Sequence, residues 1–103
     1  KISPFFMSQI PSTYALHQNY PNPFNPKTEI RFDIIEESDV KLTIYNLMGQ
    51  KIKDLKSERM IPGFHAVSWN GTNSLGAPVA SGMYLYKLST ETFQSTKKML
   101  FLK

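Results

Sequence analysis

The 103-residue chain contains no cysteine. This excludes a disulfide framework and any thiolate metal centre, so the fold must rest on its own core. Histidine is scarce: His17 and His65 lie about fifty residues apart, with no second base or ligand spaced to either. A lone histidine on a strand face is read as a satisfied core or rim residue rather than a catalyst. Serines are numerous, yet no G-x-S-x-G elbow presents one as a nucleophile. Long apolar runs are missing, so no segment reads as a membrane-spanning helix, and no stretch carries a helical period. The opening "KISPFFMSQI" has a short apolar patch broken by Pro4 and no small-residue cleavage signature. Glu36, Glu37 and Asp39 gather where a turn is expected, and there solvation is the ordinary explanation for acidic residues. Catalytic, cofactor-binding and metal sites are therefore all expected to be absent.

Twelve basic and eight acidic residues give a net charge of +4. The lysines are scattered along strand-like segments, a mild bias toward anionic surroundings rather than a nucleic-acid footprint. Neither a nucleic-acid partner nor membrane insertion is expected.

What the chain does contain, from residue 28 onward, is a period of two. "TEIRFDI" sets Ile30, Phe32 and Ile34 against Glu29, Arg31 and Asp33, and "VKLTIYN" turns Val40, Leu42 and Ile44 inward. "MGQ" turns the chain at Gly49 into a shorter strand carrying Ile52 and Leu55, and "SERMIPG" reads as a loop. "FHAVSWN" places His65, Val67 and Trp69 on one face. After the turn-rich "GTNSLGAPVASG", "MYLYKLST" alternates Tyr84, Tyr86 and Leu88 with Met83, Leu85 and Lys87. "FQSTKKMLFLK" closes as a strand apolar on both faces. With a first strand near "YALHQ", about seven strands separated by turn signals predict an antiparallel, immunoglobulin-like β-sandwich over residues 14–103. Residues 1–13, with Pro4 and Pro11 and no alternation, read as a linker from an upstream passenger.

Two stretches resist a purely repetitive reading. "NYPNPFNP", residues 19–26, packs three prolines and three asparagines into eight positions. Pro21, Pro23 and Pro26 each remove a backbone donor, so the segment is an extended arm or turn rather than a central strand. Tyr20, Asn22 and Asn25, each preceding a proline, are pushed toward extended backbone, and Phe24 gives the stiff arm an aromatic ring to bury. A braced first strand or an edge cover is the reading the residues favour. "TKKMLFLK" joins Lys97 and Lys98 to Met99, Leu100, Phe101 and Leu102, ending at Lys103. It reads either as an edge strand guarded by lysines or as a tag recognised by strand addition or in a receptor groove. Asn70, Gly71 and Thr72 open a loop whose oxygens could form a turn network or, less in keeping with its lack of carboxylates, a calcium site.

Taken together, "YALHQNYPNPFNPKTEIRFDI", "VKLTIYNLMGQKI", "GFHAVSWNGTNSLGAPVASGMYLYKL" and "KKMLFLK" resemble the C-terminal sorting domain of proteins exported by the type IX secretion system of Bacteroidetes. The resemblance spans residues 14–103. It rests on the entrance from Pro21 to Pro26 (Pro21, Asn22, Pro23, Phe24, Asn25, Pro26), the turn from Tyr45 to Gly49, the Trp69-x-Gly71 turn, the Ser81-Gly82-x-Tyr84 entry and the lysine-apolar ending. The chain also looks like the immunoglobulin-like module of flagellar hook-capping proteins, which is not expected to carry this entrance and ending. Many relatives have aspartate where this chain has Asn46 and Asn70. The resemblance implies an address rather than an activity. A passenger would be exported through the periplasm to the cell surface or the medium, with a translocon recognising Lys97, Lys98, Met99, Leu100, Phe101, Leu102 and Lys103. A sortase-like peptidase at the outer membrane would cut near the domain's N-terminal border, and the passenger could be joined to the surface. The competing class is a structural or carbohydrate-binding accessory module of a secreted hydrolase, which would need an exposed platform built from residues such as Trp69, Tyr84 and Tyr86.

Overall fold

The computed structural model describes residues 10–103. The linker expected over residues 1–13 falls, for residues 1–9, outside the described residues. Pro11 is already buried, so packing begins slightly before residue 14.

Seven strands form two antiparallel sheets among the described residues. The first sheet holds β1 (Ala15–Leu16), β2 (Thr28–Ile34) and β5 (Gly63–Trp69), in that order. The second holds β4 (Lys51–Met60), β3 (Ser38–Asn46), β6 (Gly82–Ser89) and β7 (Gln94–Phe101), in that order. The expected sandwich is thus the observed one. Its core lies where the alternation puts it: Ile30, Phe32 and Ile34 from β2 meet Val40, Leu42 and Ile44 from β3 and Tyr84, Tyr86 and Leu88 from β6. One face of each sheet is apolar because successive strand side chains point to opposite sides.

Two elements differ from expectation. β4 is ten residues long and runs through Ser57, Glu58 and Arg59, which had read as a loop. Those three residues pair with Lys41, Val40 and Asp39 of β3. Their polarity reflects an edge position, where charge discourages association with another chain. Ile52 and Leu55, three residues apart, break strict alternation. The register shifts opposite Leu42/Thr43 and Ile44/Tyr45 leave Leu55 and Ile52 as extra residues on β4, and both pack against the core. Bulges of this kind reset the side-chain phase without ending the strand. β1 keeps only two residues, because the backbone after Leu16 leaves the ladder to form the arm.

The chain enters beside Tyr14, whose hydroxyl meets Ser38 Oγ at 2.9 Å and whose ring stacks on Phe93 at 5.2 Å. This is the end of the sandwich where β3 and β7 begin. The Asn-Pro arm, Trp69, the start of β6 and the finish of β7 all lie at the other end. The eight residues of β7 separate the two ends by about 26 Å.

Candidate functional site

The arm lies along the outer edge of the terminal strand. Phe24 N–H donates to the Leu100 carbonyl at 3.0 Å, and Leu102 N–H donates back to the Phe24 carbonyl at 3.1 Å, a parallel bridge between Phe24 and Phe101. Asn22 Oδ1 accepts from Leu100 N–H at 2.9 Å, and Gln18 Nε2 donates to the Lys98 carbonyl at 2.7 Å. The edge that β7 turns away from β6 is therefore covered from Lys98 to Leu102. The three prolyl bonds of the arm are cis. Both parts of the structural reading of "NYPNPFNP" are observed: Tyr20 exchanges two backbone hydrogen bonds with Glu29 and braces the start of β2, while residues 22–24 cover an edge, that of the chain's last strand.

Burial follows the same design. Phe24 is 2% exposed and stacks on Phe101 at 4.8 Å, while Trp69 lies 5.7 Å from Phe24 and 5.3 Å, edge on, from Tyr84. Trp69 Nε1 donates to the Thr72 carbonyl at 2.8 Å, and the Tyr84 hydroxyl donates to the Ala80 carbonyl at 2.6 Å. Both polar tips are satisfied at the rim, so both rings can be fully buried. Gly71 adopts φ of +75°, and a Cβ there would stand 2.6 Å from Phe101 Cζ. Only glycine tolerates both that backbone and that approach. Ser81 Oγ accepts from Lys103 N–H at 3.0 Å. Motif residues spread over some eighty positions of sequence thus close one end of the sandwich.

A second anchor holds the root of the arm. Asn19, almost fully buried, donates through Nδ2 to the Pro21 carbonyl and to Thr28 Oγ1, and Thr28 Oγ1 donates to the same carbonyl at 2.9 Å. The Tyr86 hydroxyl donates to the His17 carbonyl at 2.7 Å and accepts from Asn19 N–H at 2.8 Å. Burial pushes the Tyr86 phenol up to about 12, against the opposing effect of the Asn19 hydrogen bond. A tyrosine in the unfolded chain titrates near 10. The folded protein therefore holds this proton more tightly. The resulting stability is fully present below about pH 10 and is lost as pH rises through about 12. That loss is expected to reach about 2–3 kcal/mol. Tyr86→Phe should abolish this step and cost about 1–3 kcal/mol at neutral pH, because it strands the His17 carbonyl and the Asn19 N–H. Lysines titrate in the same range, so the decisive measurement is the difference between the two curves of melting temperature against pH; parallel curves would reject the assignment.

The loops around this end are held by asparagine. Asn46 Oδ1 accepts from the Met48 and Gln50 N–H groups, both at 3.0 Å, and Asn46 Nδ2 donates to Gln50 Oε1. Asn73 Oδ1 does the same for Leu75 and Ala77, and Asn70 Oδ1 accepts from Thr72 Oγ1 at 2.7 Å. Thr72 Oγ1 also accepts from Lys53 Nζ at 3.3 Å, so the side-chain oxygens of Asn70, Thr72 and Asn73 all take part in hydrogen bonds in this loop.

The sequence-predicted tag residues divide sharply. Met99 and Phe101 are buried, Lys97 and Leu100 half-buried, and Lys98, Leu102 and Lys103 exposed. Tyr45 is half-buried and Gly49 exposed at its turn. Sequence reasoning missed the roles of Gln18 and Asn19, and the buried asparagine directly before the proline run was the available signal. It also separated His17 and His65, which border one shallow groove of about 540 Å³ with Arg31, Asp33 and Phe64. His17 Nε2 lies 3.0 Å from Asp33 Oδ2, while His65 Nε2 meets the Ile61 carbonyl at 2.9 Å and its ring stacks on Phe32. Each imidazole has a structural partner, and no cluster of three metal-ligating side chains occurs among the described residues.

Residues 18–102 match the model of the secretion system C-terminal sorting domain, a match that takes in the arm, the aromatic end and the terminal strand. The chain belongs to that family. Such a sorting domain is the address for type IX secretion across the outer membrane, to the cell surface or the medium, and the domain itself is non-catalytic. Among solved structures, the dimeric latent PorU of Porphyromonas gingivalis is similar, with a TM-score of 0.67 and 18% identity over 88% of this chain and 10% of that one. PorZ of the same organism, described as an essential surface component of its type IX secretion system, is similar with a TM-score of 0.57 and 17% identity, covering 87% of this chain and 11% of that one. At such identity these likenesses concern the sorting domain's fold. The chain spans about a tenth of the length of either protein. No curated protein sequence matches it.

Proposed function

We propose that the type IX translocon recognises this sorting domain as a folded surface made jointly by the arm and the terminal strand, with Lys97 and Lys98 as its charged contacts. The observation that carries this reading is the reciprocal pair of hydrogen bonds between Phe24 and residues 100 and 102, which makes the entrance motif and the ending motif one object. With Met99 and Phe101 buried, their part is to hold the strand in place. Lys98, Leu102 and Lys103, with the exposed faces of Pro21 and Pro23, supply the accessible contacts. Strand addition on β7 would be confined to its first half, because the arm occupies the second.

The passenger lies upstream, residues 1–13 form the linker to it, and a sortase-like peptidase at the outer membrane cuts that linker before surface attachment. Entry of the chain beside Ser38 and Phe93 supports this division: the junction to be cut and the surface to be recognised occupy opposite ends, so the translocon and the peptidase can reach the domain without competing. Whatever activity the passenger has is its own. The carbohydrate-binding alternative loses its platform, since Trp69, Tyr84 and Tyr86 are all buried. The strongly exposed aromatics Tyr20 and Phe64 pair with Glu29 and Asp33 of β2, a separation of about 13 Å along the strand.

The test is to fuse the 103-residue chain to a reporter carrying its own inner-membrane export signal, in a host with the type IX system. Lys97→Glu/Lys98→Glu is expected to abolish surface delivery while lowering stability by no more than about 1 kcal/mol, because Lys98 is exposed and Lys97, though half-buried, is a surface charge rather than a core residue. Normal delivery of the folded variant would rule out recognition through the lysines.

A further inference from the structure

We propose that the arm end of the domain seats on an anionic membrane surface, with Leu47, Met48 and Leu75 entering the headgroup region. These side chains are 62%, 83% and 92% exposed. Their turns lie at the same end of the molecule: Ser74 N–H donates to the Ile52 carbonyl at 3.1 Å and Lys53 Nζ to Thr72 Oγ1 at 3.3 Å, which lays the 70–78 loop against the start of β4, the strand that follows the turn bearing Leu47 and Met48. Both turns are rigid. Asn46 and Asn73 each cap two backbone donors, so the three apolar side chains are held outward by built structure. Turn chemistry does not ask for them, since tight turns favour Gly, Asn, Asp, Ser and Pro.

Charge identifies the occupant. The half of the sandwich nearest this end carries Lys27, Lys51, Lys53, Lys97, Lys98 and Lys103 against Glu29 and Asp54, the latter paired with Lys51 at 2.8 Å. The opposite half carries Asp33, Glu36, Glu37, Asp39, Glu58 and Glu91 against Lys41, Lys56, Arg59 and Lys87, with Arg31 midway, and Arg59 is shared among Glu37, Asp39 and Glu91. The net charge of +4 thus conceals a polarity along the long axis, a clearly basic half facing a mildly acidic one. An anionic surface would attract the lysine end, repel the acidic end and orient the molecule before contact. Leucines on convex tips beside lysines suit a lipid surface, because interfacial contacts combine apolar side chains with Lys, whereas protein interfaces are depleted in Lys. Each lysine brought to such a surface strengthens binding about fivefold. The contact is interfacial and not a span: among the described residues no helix is long and apolar enough to cross a membrane. It goes beyond the expectation of no membrane insertion without contradicting it, and it shares Lys97, Lys98 and Lys103 with the surface proposed for the translocon.

The purified chain is tested by flotation with phosphatidylcholine vesicles, with and without phosphatidylglycerol. Binding is expected only to the anionic vesicles, falling as salt rises. Leu47→Ser/Met48→Ser/Leu75→Ser should lose at least about tenfold in partitioning with an unchanged melting temperature. A Leu75→Trp variant should be quenched by brominated lipid, unlike the parent, whose Trp69 is buried. Failure of the parent to float, or flotation of the triple variant equal to the parent's, would overturn the proposal. Binding of polyglutamate as tight as that of vesicles would overturn it in favour of an acidic protein partner.

Discussion

Trp69→Ala is expected to lower the folding free energy by about 3–5 kcal/mol, a large share of the 5–15 kcal/mol that holds a small domain together. Trp69 is 1% exposed and is the hub of the aromatic end, contacting Phe24, Tyr84 and Phe101. Its loss removes the transfer energy of the largest core side chain and leaves a cavity between the arm and the strand ends, which are fixed by their own hydrogen bonds. The Thr72 carbonyl, which accepts from Trp69 Nε1, would be left to find water. Chemical denaturation monitored by circular dichroism gives the number; a loss below about 1 kcal/mol would mean that this end contributes little to the fold.

Phe24→Ala is expected to cost a similar 3–5 kcal/mol, and its effect should be strongly coupled to that of Phe101→Ala. The two rings stack at 4.8 Å while their backbones share the parallel bridge. Removing either ring frees much of what the other held, so the double variant should be less destabilised than the sum of the singles, by about 1–2 kcal/mol. Hydrogen exchange offers an independent readout. Leu102 N–H, protected by the Phe24 carbonyl, should exchange much faster in Phe24→Ala, whereas amides of β2 facing β5 should change only with global stability. Additive costs, with unaltered protection at Leu102, would show that the arm does not secure the terminal strand. Because the proposed recognition surface consists of this arm and strand, Phe24→Ala should also impair export more than an equally destabilising change in β3, such as Ile44→Ala.

How much of this was legible depended on the range of the interaction. The strands of β2, β3, β5 and β6 could be placed from alternation alone, since a half-buried strand writes its burial into every second residue. β4 could not, because an edge strand has a weak apolar signature and two bulges broke its period. The arm was recognisable as stiff and non-helical from Pro21, Pro23 and Pro26. What it lay against could not be read, for the partner is the backbone of Leu100 and Leu102, and backbone groups are the same in every residue. The resemblance singled out its motif residues as separate signatures, and their meeting at one end of the molecule was not part of it.

By itself, then, the sequence determined the class of this domain: an all-β sandwich with an apolar core, without thiols or catalytic constellations, bearing the marks of a sorting signal. The fold class and the lack of thiols follow from local periodicity and residue chemistry, which no fold can erase, and the sorting-signal marks follow from the resemblance of its motifs to a known family. The tertiary structure alone decided that Phe24, Trp69, Gly71, Tyr84 and Phe101 share one core, that the entrance covers the edge of the ending, and that the charges divide into a lysine end and an acidic end. Those facts depend on which strands pair and in what register. Pairing is settled by the simultaneous burial of residues up to eighty positions apart, a cooperative quantity with no counterpart in any short stretch of the chain.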